Sequence, residues 1–590
     1  MDVTGCAMEA TTVEGDVSDS TPEFVVLASS RVVLSGQLTP GTLVISLQTG
    51  KFDRIYHDLI PRSTFGPRFC YTDYSPRILL PGLVDAHVHL NEPGRTQWEG
   101  FFTGTRAAAC GGVTTVIDMP LNAIPPTTTV AAFEEKIEAA KSQCWIDVGF
   151  YGGIVPGNSG ELKELVRRGV RGFKGFLIDS GVDEFPAVSV EDISKAMVEL
   201  AEEPTTLMFH AEMEHADPHT DTHASQASAA SPKPPGKSSP PQAPLDAYGT
   251  FLASRPASYE TMAIQTILSL AHLAPKLPLH IVHLSAMEAI RLLRQARAQG
   301  VKITAETCPH YLALTAEQIS KGDTRHKCCP PIRSQSNQDH LWEELLQHKD
   351  EISAIKTVVS DHSPCTPDLK LLPTRLNTSQ PSLSTGPPNH DEHKSISEED
   401  AGQKSSTAIT EAEQQTRLGN FLSAWGGISS VGLTLPILWT EMTRRGLTEA
   451  KDDISTSSYT RASAIANVVQ WCCLNTARQI GLDHVKGDLK TGLNADICVF
   501  DDEAEWVINP DSDLSFKHPG CSPYSGWKMK GMVRETWLRG RKVFERGVDT
   551  IPPGGVVYGD SDSDGGHGAG RVVGEQCRGR LLLKTESRTA

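Results

Sequence analysis

The chain has 590 residues and a formal net charge of −17. That length supports a large core and more than one domain, and the excess of acidic side chains argues against nucleic acid or an anionic membrane as the main partner. No apolar run approaches the ~20 residues that a membrane-spanning helix needs, so the sequence predicts no membrane partner.

The cysteines and the first residues predict a cytoplasmic location. Thirteen cysteines are scattered along the sequence without a Cys-x-x-Cys motif, and the two adjacent Cys-Cys pairs are poorly placed for disulfides or a zinc knuckle. We therefore expect reduced thiols. The first residues have neither a basic n-region nor an apolar h-region, so we expect no signal peptide.

Both ends of the chain carry short β-branched runs, such as Met532–Leu538, that predict strands. We expect residues 23–77 and 486–550 to form one small composite β-sandwich domain. The polar, acidic segment 1–22 and the Gly-, Asp- and Ser-rich segment 554–590 are predicted to be disordered.

Between these ends, residues 78–485 alternate between strand-like and helix-like patterns. Apolar runs are followed by helical segments that end at glycine, for example Trp98–Cys110 before Gly111. The alternation predicts an α/β fold, a (β/α)8 TIM-like barrel. The predicted strands begin at Ile78, Val113, Trp145, Val170, Thr206, Leu279, Val301 and Ile355.

Two low-complexity stretches interrupt the barrel pattern. Residues 215–244 are rich in Ser, Ala, Pro and His, and residues 366–415 in Ser, Thr, Pro, Glu and Lys. Neither has apolar periodicity, so both are predicted to be disordered surface insertions whose roles the sequence leaves open. The histidines of the first insertion, His215, His219 and His223, fit a solvated tract better than a metal site.

Histidines stand at the predicted C-terminal ends of several strands, where the active sites of such barrels lie. His87 and His89 share one face of the first strand because side chains alternate, and two adjacent imidazoles can chelate a metal ion. One core histidine is ordinary, but four at one rim with an aspartate and a lysine predict a metal site. The set is His87, His89, Lys174, His210, His283 and Asp361.

This set exceeds the three protein ligands that one catalytic zinc takes, so it predicts two metal ions. Lys174 is flanked by glycines and aromatics in Gly-Phe-Lys-Gly-Phe, which does not fit a solvated surface lysine. A desolvated neutral amine can add carbon dioxide to form a carbamate, whose two oxygens can bridge two cations. We therefore predict a bridging Lys174, with Asp361 as a ligand of one metal only.

These residues resemble the metal set of the cyclic amidohydrolases, the family of dihydroorotases, hydantoinases, dihydropyrimidinases and allantoinases. The resemblance covers roughly Ile45 to Gly547 without the insertions. It implies a distorted barrel with a composite β domain, and two divalent metal ions, usually zinc, bridged by N6-carboxylated Lys174 and a hydroxide. It also implies a homo-oligomer, commonly a tetramer. We expect Asp361 to be the catalytic residue, taking a proton from the hydroxide and delivering it to the leaving ring nitrogen.

Within this family the chain is most similar to the allantoinases. The similarity lies in His87–Gly100, Asp118–Asn122, Ser360–Cys365 and Ala424–Ile428. Dihydroorotases place an arginine two residues after the second histidine to hold the substrate carboxylate, whereas this chain has Asn91 there, and allantoin is neutral. The resemblance implies hydrolytic opening of allantoin to allantoate, in purine and ureide nitrogen catabolism.

Two other functions stay open at this point. A hydantoinase, a dihydropyrimidinase or a dihydroorotase-like enzyme would use the same chemistry on another ring. A non-catalytic scaffold of the collapsin-response type would typically lack the metal ligands that this chain carries. Candidate substrate contacts are Asn91, Asn122 and Gly426, although a turn alone would also explain Asn122 and Gly426.

Overall fold

The computed structural model describes residues 22–214, 243–347, 350–373, 376, 417–449, 460–546, 571–572 and 578–583. Of the predicted disordered stretches, residues 1–21, 215–242, 377–416 and most of 554–590 lie outside this part of the chain. Within it, no helix is both long enough and apolar enough to cross a membrane.

The strands alternate with helices through the middle of the chain. In chain order the strands are β1 (Phe24–Leu34), β2 (Gln37–Ser46), β3 (Lys51–Tyr56), β4 (Phe69–Asp73), β5 (Ile78–Pro81), β6 (Leu83–Val88), β7 (Val113–Asp118), β8 (Asp147–Phe150), β9 (Gly152–Gly153), β10 (Phe173–Phe176), β11 (Leu207–His210), β12 (Leu279–Ile281), β13 (Ile303–Thr307), β14 (Ile355–Val358), β15 (Ile497–Val507), β16 (Lys528–Leu538), β17 (Arg541–Glu545) and β18 (Arg571–Val572).

The helices cover the barrel strands and carry the expected end signals. Helix Val190–Leu200, for example, begins at a capping box in which Ser189 and Asp192 exchange side-chain and backbone hydrogen bonds. The α-helices are Phe101–Cys110, Val130–Ala140, Leu162–Arg168, Val190–Leu200, Tyr248–Ser254, Ala257–Leu270, Glu288–Ala298, Pro309–Ala313, Gln335–Leu346, Pro367–Lys370, Thr434–Arg444, Arg461–Val469, Asn475–Gln479 and Pro510–Asp513. A π-helical turn, Gln470–Leu474, joins two of them.

Both ends of the chain meet in one continuous sheet, which confirms the predicted composite domain. The strand order is β18-β17-β16-β15-β5-β1-β2-β3, with β4 beside β1. The antiparallel pair of β5 and β15 joins the two ends. Alternating apolar residues such as Leu27, Leu43, Ile45 and Val499 bury one face in a core cluster of their own.

The boundary between sheet and barrel falls inside one apolar run rather than at residue 78. Strand β5 pairs within the sheet, and β6 opens the barrel after Gly82. A Cβ atom at Gly82 would lie 2.3 Å from Thr114 Cγ2, so a glycine between the two strands leaves room for β7 to approach closely. Because the apolar residues run on through both strands, nothing in the sequence indicated the boundary between β5 and β6.

Eight strand positions close the barrel, as predicted. Strands β6, β7 and β8 form one parallel sheet and β9 to β14 another, with β8 and β9 being two halves of the third strand on either side of Tyr151. A parallel bridge between Val88 and His362 joins the last strand to the first. Asp85 supports this closure because Ser360 N–H donates to its carboxylate at 3.1 Å.

Residues 578–583 pack on the barrel, so the prediction of a disordered tail is wrong for them. Val148 N–H donates to Arg580 O at 3.0 Å, and Leu582 N–H donates to Val148 O at 2.8 Å. The Arg171 side chain also donates to Leu582 O. The tail thereby pairs with backbone groups of β8, and the run Leu581–Leu583 supplies apolar contacts that the polar composition of the tail obscured.

The second insertion also begins later than predicted. Residues 366–373 are described, and they include the short helix Pro367–Lys370. Lys370 is fully buried, where its amine meets backbone carbonyl oxygens. Composition alone gave no sign of this, because a lysine in a polar stretch is normally solvated.

Candidate metal centre

The six predicted ligand residues meet at the C-terminal rim of the barrel. His87 lies near the end of β6, His210 ends β11, and His283 and Asp361 follow β12 and β14 closely. Lys174 differs from the prediction, because it is the second residue of β10 and not its last. Strand β10 continues because Gly175 and Phe176 keep pairing with β11.

The side chains form two neighbouring groups. His87 Nε2 lies 3.1 Å from Asp361 Oδ1, and His89 Nε2 lies 3.7 Å from the same oxygen. His210 Nδ1 lies 3.1 Å from His283 Nε2. Lys174 lies between the groups, since its Nζ is 3.1 Å from His87 Nε2 and it lines the same cavity as His210 and His283.

Burial keeps the imidazoles neutral. It lowers the pKa of His87 to about 4 and also lowers the pKa values of His89, His210 and His283. Burial likewise lowers the pKa of Lys174 to about 8. Neutral imidazoles offer lone pairs to a metal ion. The lowered pKa gives Lys174 a larger fraction of uncharged, nucleophilic amine near neutral pH than an ordinary lysine has, which favours carbamate formation.

Two buried carboxylates orient the histidines from behind. Glu306 Oε1 accepts a hydrogen bond from His87 Nδ1, and its Oε2 lies 3.0 Å from His280 Nε2. Glu212 Oε2 lies 2.7 Å from His210 Nε2. When a carboxylate binds one ring nitrogen, the proton is fixed there and the other nitrogen keeps its lone pair.

The donor set fits divalent metal ions. The tautomers set by Glu306 and Glu212 direct the free lone pairs of His87 Nε2 and His210 Nδ1 into the rim. Ligand atoms of His87, His89 and Asp361 lie within 4.8 Å of one another, and all three residues are buried. Nitrogen and carboxylate oxygen at this spacing are typical ligands of zinc and similar cations.

Three further residues at this site, Glu306, Glu212 and His280, were not predicted from the sequence. A signal was present for the first two, because each is an acidic residue in or next to an apolar strand. Glu306 lies within the predicted strand from Val301, and Glu212 follows His210 by two residues. His280 lies inside β12, where a histidine has no feature that distinguishes it from a core residue.

A cavity of about 290 Å³ opens at the rim, and five of the six residues line it, namely His89, Lys174, His210, His283 and Asp361. Asn122, Lys327, Trp425 and Gly426 contribute to its walls. Asn91 is not among the described residues that line it, and its side chain faces Pro364 O at 3.5 Å. The predicted contacts Asn122 and Gly426 are thus placed at the cavity, whereas Asn91 lies behind its wall.

Backbone strain is concentrated at this rim. His283, Asp361, Asn91 and Asn122 have φ values of 38°, 46°, 63° and 69°. Left-handed backbone is uncommon outside glycine, although asparagine and aspartate tolerate it better than others. Strained residues that cluster in one place support a functional role for the site.

Comparison with known proteins agrees with this geometry. The family described as "Amidohydrolase family" matches residues 78–345 and 436–543. The chain is 42% identical to an allantoinase of Saccharomyces cerevisiae, over 90% of this chain and 97% of that one. It is 35% identical to an allantoinase of Arabidopsis thaliana, over 88% of each chain.

Solved structures show the same fold at lower identity. An L-hydantoinase of Arthrobacter aurescens superposes with a TM-score of 0.69 and 23% identity, covering 95% of this chain and 99% of that chain. A dihydropyrimidinase of Brevibacillus agri gives a TM-score of 0.63 at 23% identity, covering 88% and 95%. From the family match and the length of these alignments, the chain belongs to the amidohydrolase family.

Proposed function

We propose that the protein is an allantoinase, which opens the ring of allantoin by hydrolysis to give allantoate in purine and ureide nitrogen catabolism. The observation that carries this proposal is similarity to allantoinases along 90% of the chain, at 42% identity in one case. The rim geometry supports the chemistry, and the chain is a hydrolase that acts on cyclic amides.

Two metal sites account for all six rim residues. In this proposal His87, His89 and Asp361 hold one divalent cation, and His210 with His283 holds a second. Lys174, carboxylated on Nζ, serves both, because its amine lies 3.1 Å from His87 Nε2 and it lines the same cavity as His210 and His283. Zinc is the expected metal, since imidazole and carboxylate ligands suit it.

Asp361 is the proposed catalytic residue. The cations, when bound, would lower the pKa of water and polarise the ring carbonyl group. Asp361 accepts the proton of the attacking water and delivers it to the ring nitrogen as the amide bond breaks. Its position between two histidines at the rim, 5% exposed, keeps bulk water from competing for that proton.

The cavity walls favour a neutral ring. Arg255 lies at the cavity, but its Nη1 donates to Glu212 at 2.6 Å. Lys327 also lies there, but its amine donates to carbonyl oxygens of the chain. Arg255 is therefore already ion-paired, and the amine of Lys327 is held by backbone carbonyl groups of the wall rather than presented as a ligand for a substrate carboxylate. Asn122 Oδ1 is buried without a hydrogen-bond partner among the described residues, so it can accept from a substrate N–H.

The test is kcat/KM on allantoin, hydantoin, dihydrouracil and dihydroorotate. We expect allantoin to exceed hydantoin and dihydrouracil about tenfold or more. Dihydroorotate should be slower by several orders of magnitude, because an unpaired buried carboxylate costs several kcal/mol. Preference for hydantoin or dihydrouracil would instead support the hydantoinase or dihydropyrimidinase function, which the solved structures represent.

Location and assembly are separate proposals. We propose a cytoplasmic homo-oligomer, commonly a tetramer in this family. Cysteines without disulfides among the described residues support a reducing compartment. A frog relative is called mitochondrial, so cell fractionation must distinguish the two compartments. Light scattering of the purified protein gives the subunit number, and a monomer would contradict the proposed assembly.

A further inference from the structure

One wall of the cavity is a loop, residues 422–427, and the amines of two buried lysines hold it. Lys370 Nζ donates to Trp425 O at 3.2 Å and to Gly427 O. Lys327 Nζ donates to Leu422 O at 2.9 Å and to Ala424 O at 2.5 Å. The two amines therefore contact four carbonyl oxygens of this loop, and every residue of the loop lines the cavity.

Backbone hydrogen bonds tie the same three segments together. Gly427 N–H donates to Lys327 O at 2.8 Å, and Trp425 N–H donates to Leu369 O at 2.8 Å. Gly427 also has no room for a side chain, since a Cβ atom there would lie 2.0 Å from Ser363 O. The loop is thus fixed against the segment that follows Asp361.

The burial of these two amines carries a desolvation cost that no ion pair among the described residues offsets. Lys370 is fully buried and Lys327 is 7% exposed. Among the residues that the structure describes, neither amine has a carboxylate partner, and the contacts are carbonyl oxygens and the Phe251 ring, 5.2 Å from Lys327 Nζ. An apolar side chain of similar length would fill the same space without the desolvation cost of a cation.

We propose that Lys327 and Lys370 are positioning residues that fix loop 422–427 in the shape required to bind the ring substrate. Carbonyl dipoles directed at an ammonium hold the loop more firmly than neutral hydrogen bonds would. The wall then presents the Trp425 ring, which packs on Trp98 with ring centroids 4.7 Å apart, together with the Gly426 backbone. The identity of the ring rests on the proposed function, whereas the ordering of the loop does not.

Lys370→Met and Lys327→Met test this directly, since methionine keeps much of the length and removes the charge. We expect KM for allantoin to rise about tenfold or more, with kcat within threefold and metal content unchanged. Hydrogen exchange of a peptide covering 417–430 should become faster, while peptides from β6 and β12 stay protected. Lys321→Met is the matched control, because that lysine side chain is 68% exposed and does not line the cavity.

The two measurements separate this proposal from the proposed function. Faster loop exchange in the Lys→Met variants, in a protein that does not open allantoin, would support the lysine role and reject the substrate. Unchanged exchange and unchanged KM would overturn the lysine role. Loss of metal with an equal fall in kcat would also overturn it, because the lysines would then support the metal centre. If Lys370→Met does not fold, Lys327→Met and Lys327→Arg decide, with the arginine restoring the donors and part of the KM.

Discussion

The composite sheet and the barrel rim bury charged groups in opposite ways. In the sheet, Asp502 binds Arg31 at 2.6 Å and Arg461 at 2.9 Å. Where the sheet meets the barrel, Lys486 lies 2.7 Å from Asp147 and 2.5 Å from Asp496. Each buried charge there has an opposite charge beside it, and the pairs join segments distant in sequence.

The rim instead brings basic nitrogens close together and leaves some buried polar atoms without partners. Lys174 faces the ring nitrogen of His87, and His210 faces His283. His283 Nδ1 and Asn122 Oδ1 are buried without hydrogen-bond partners among the described residues. Such an arrangement is destabilising in a free protein and becomes favourable when ligands fill it. In the sheet, paired buried charges join distant segments, whereas at the rim basic nitrogens lie close together beside polar atoms without partners, as expected where ligands bind.

The largest expected effect is at the centre of the rim. Lys174→Ala should lose most of the bound metal, and activity should fall about 10³-fold or more, because the proposed anionic bridge between the two metal ions is lost. Elemental analysis and turnover of the purified variant measure this, and a short carboxylic acid added to the assay should restore part of the activity. Wild-type metal content and turnover would contradict the carbamate proposal.

The next effect tests the carboxylates behind the histidines. Glu306→Gln should weaken metal affinity about 10- to 100-fold, because the neutral amide no longer fixes the tautomer of His87. Competition with a chelator measures the change. Glu138→Gln is the control, since that side chain is 72% exposed on a helix surface. Equal metal affinity in both variants would show that Glu306 has only a packing role.

A change in the sheet should affect stability alone. Asp502→Asn should reduce the free energy of unfolding by about 2 kcal/mol, through loss of charged hydrogen bonds to Arg31 and Arg461, with metal content and KM unchanged. Burial raises the pKa of Asp502, but the two arginines outweigh it and hold that pKa below its usual value. The stabilisation is therefore complete above the usual carboxyl pKa of ~3.9 and is lost as pH falls through the lower folded value.

Chemical denaturation at pH 7 and at decreasing pH checks this account. The wild type and the Asp502→Asn variant should differ most at neutral pH and converge in acid. Loss of metal from the variant would show that the sheet and the rim are coupled. A difference in the free energy of unfolding that grows in acid would contradict the lowered pKa of Asp502.

The smallest effect concerns the two insertions. Deletion of residues 219–241 or 378–412 with a short Gly-Ser joint should change stability by less than ~1 kcal/mol and leave turnover nearly intact. These residues lie outside the described part of the chain, so the prediction rests on their composition. A deletion that starts at residue 370 should instead raise KM, because it removes Lys370. Equal KM values for the deletions that start at residues 370 and 378 would contradict this prediction.

The alternation of strands and helices, and the histidines that end the strands, could be predicted from the sequence. Strand ends in such barrels converge on one rim, so residues distant in the chain could be placed together. The sequence could not place Lys174 within its strand, since glycine on both sides suggested an end. It also could not reveal Lys370, because the partners of that amine are backbone carbonyls of a loop more than fifty residues later.

Asn91 shows a further limit of spacing arguments. Its distance from His89 in the sequence put it in the substrate site, but the left-handed backbone at φ 63° accompanies a side chain that faces Pro364. Position 91 still carries no arginine that could bind a substrate carboxylate, so the contrast with the dihydroorotases remains. Asn91→Arg should therefore lower kcat/KM for allantoin by forcing a buried cation against the wall, and kinetics on allantoin and dihydroorotate test this.

The central claim is that two metal ions at this rim open the ring of allantoin, and a metal titration tests it most directly. Metal-free protein is given zinc in measured equivalents under bicarbonate, and allantoate formation is followed at each step. The account predicts that activity rises until two equivalents are bound per chain and then stays constant. Full activity at one equivalent, or activity in the metal-free protein, would contradict it.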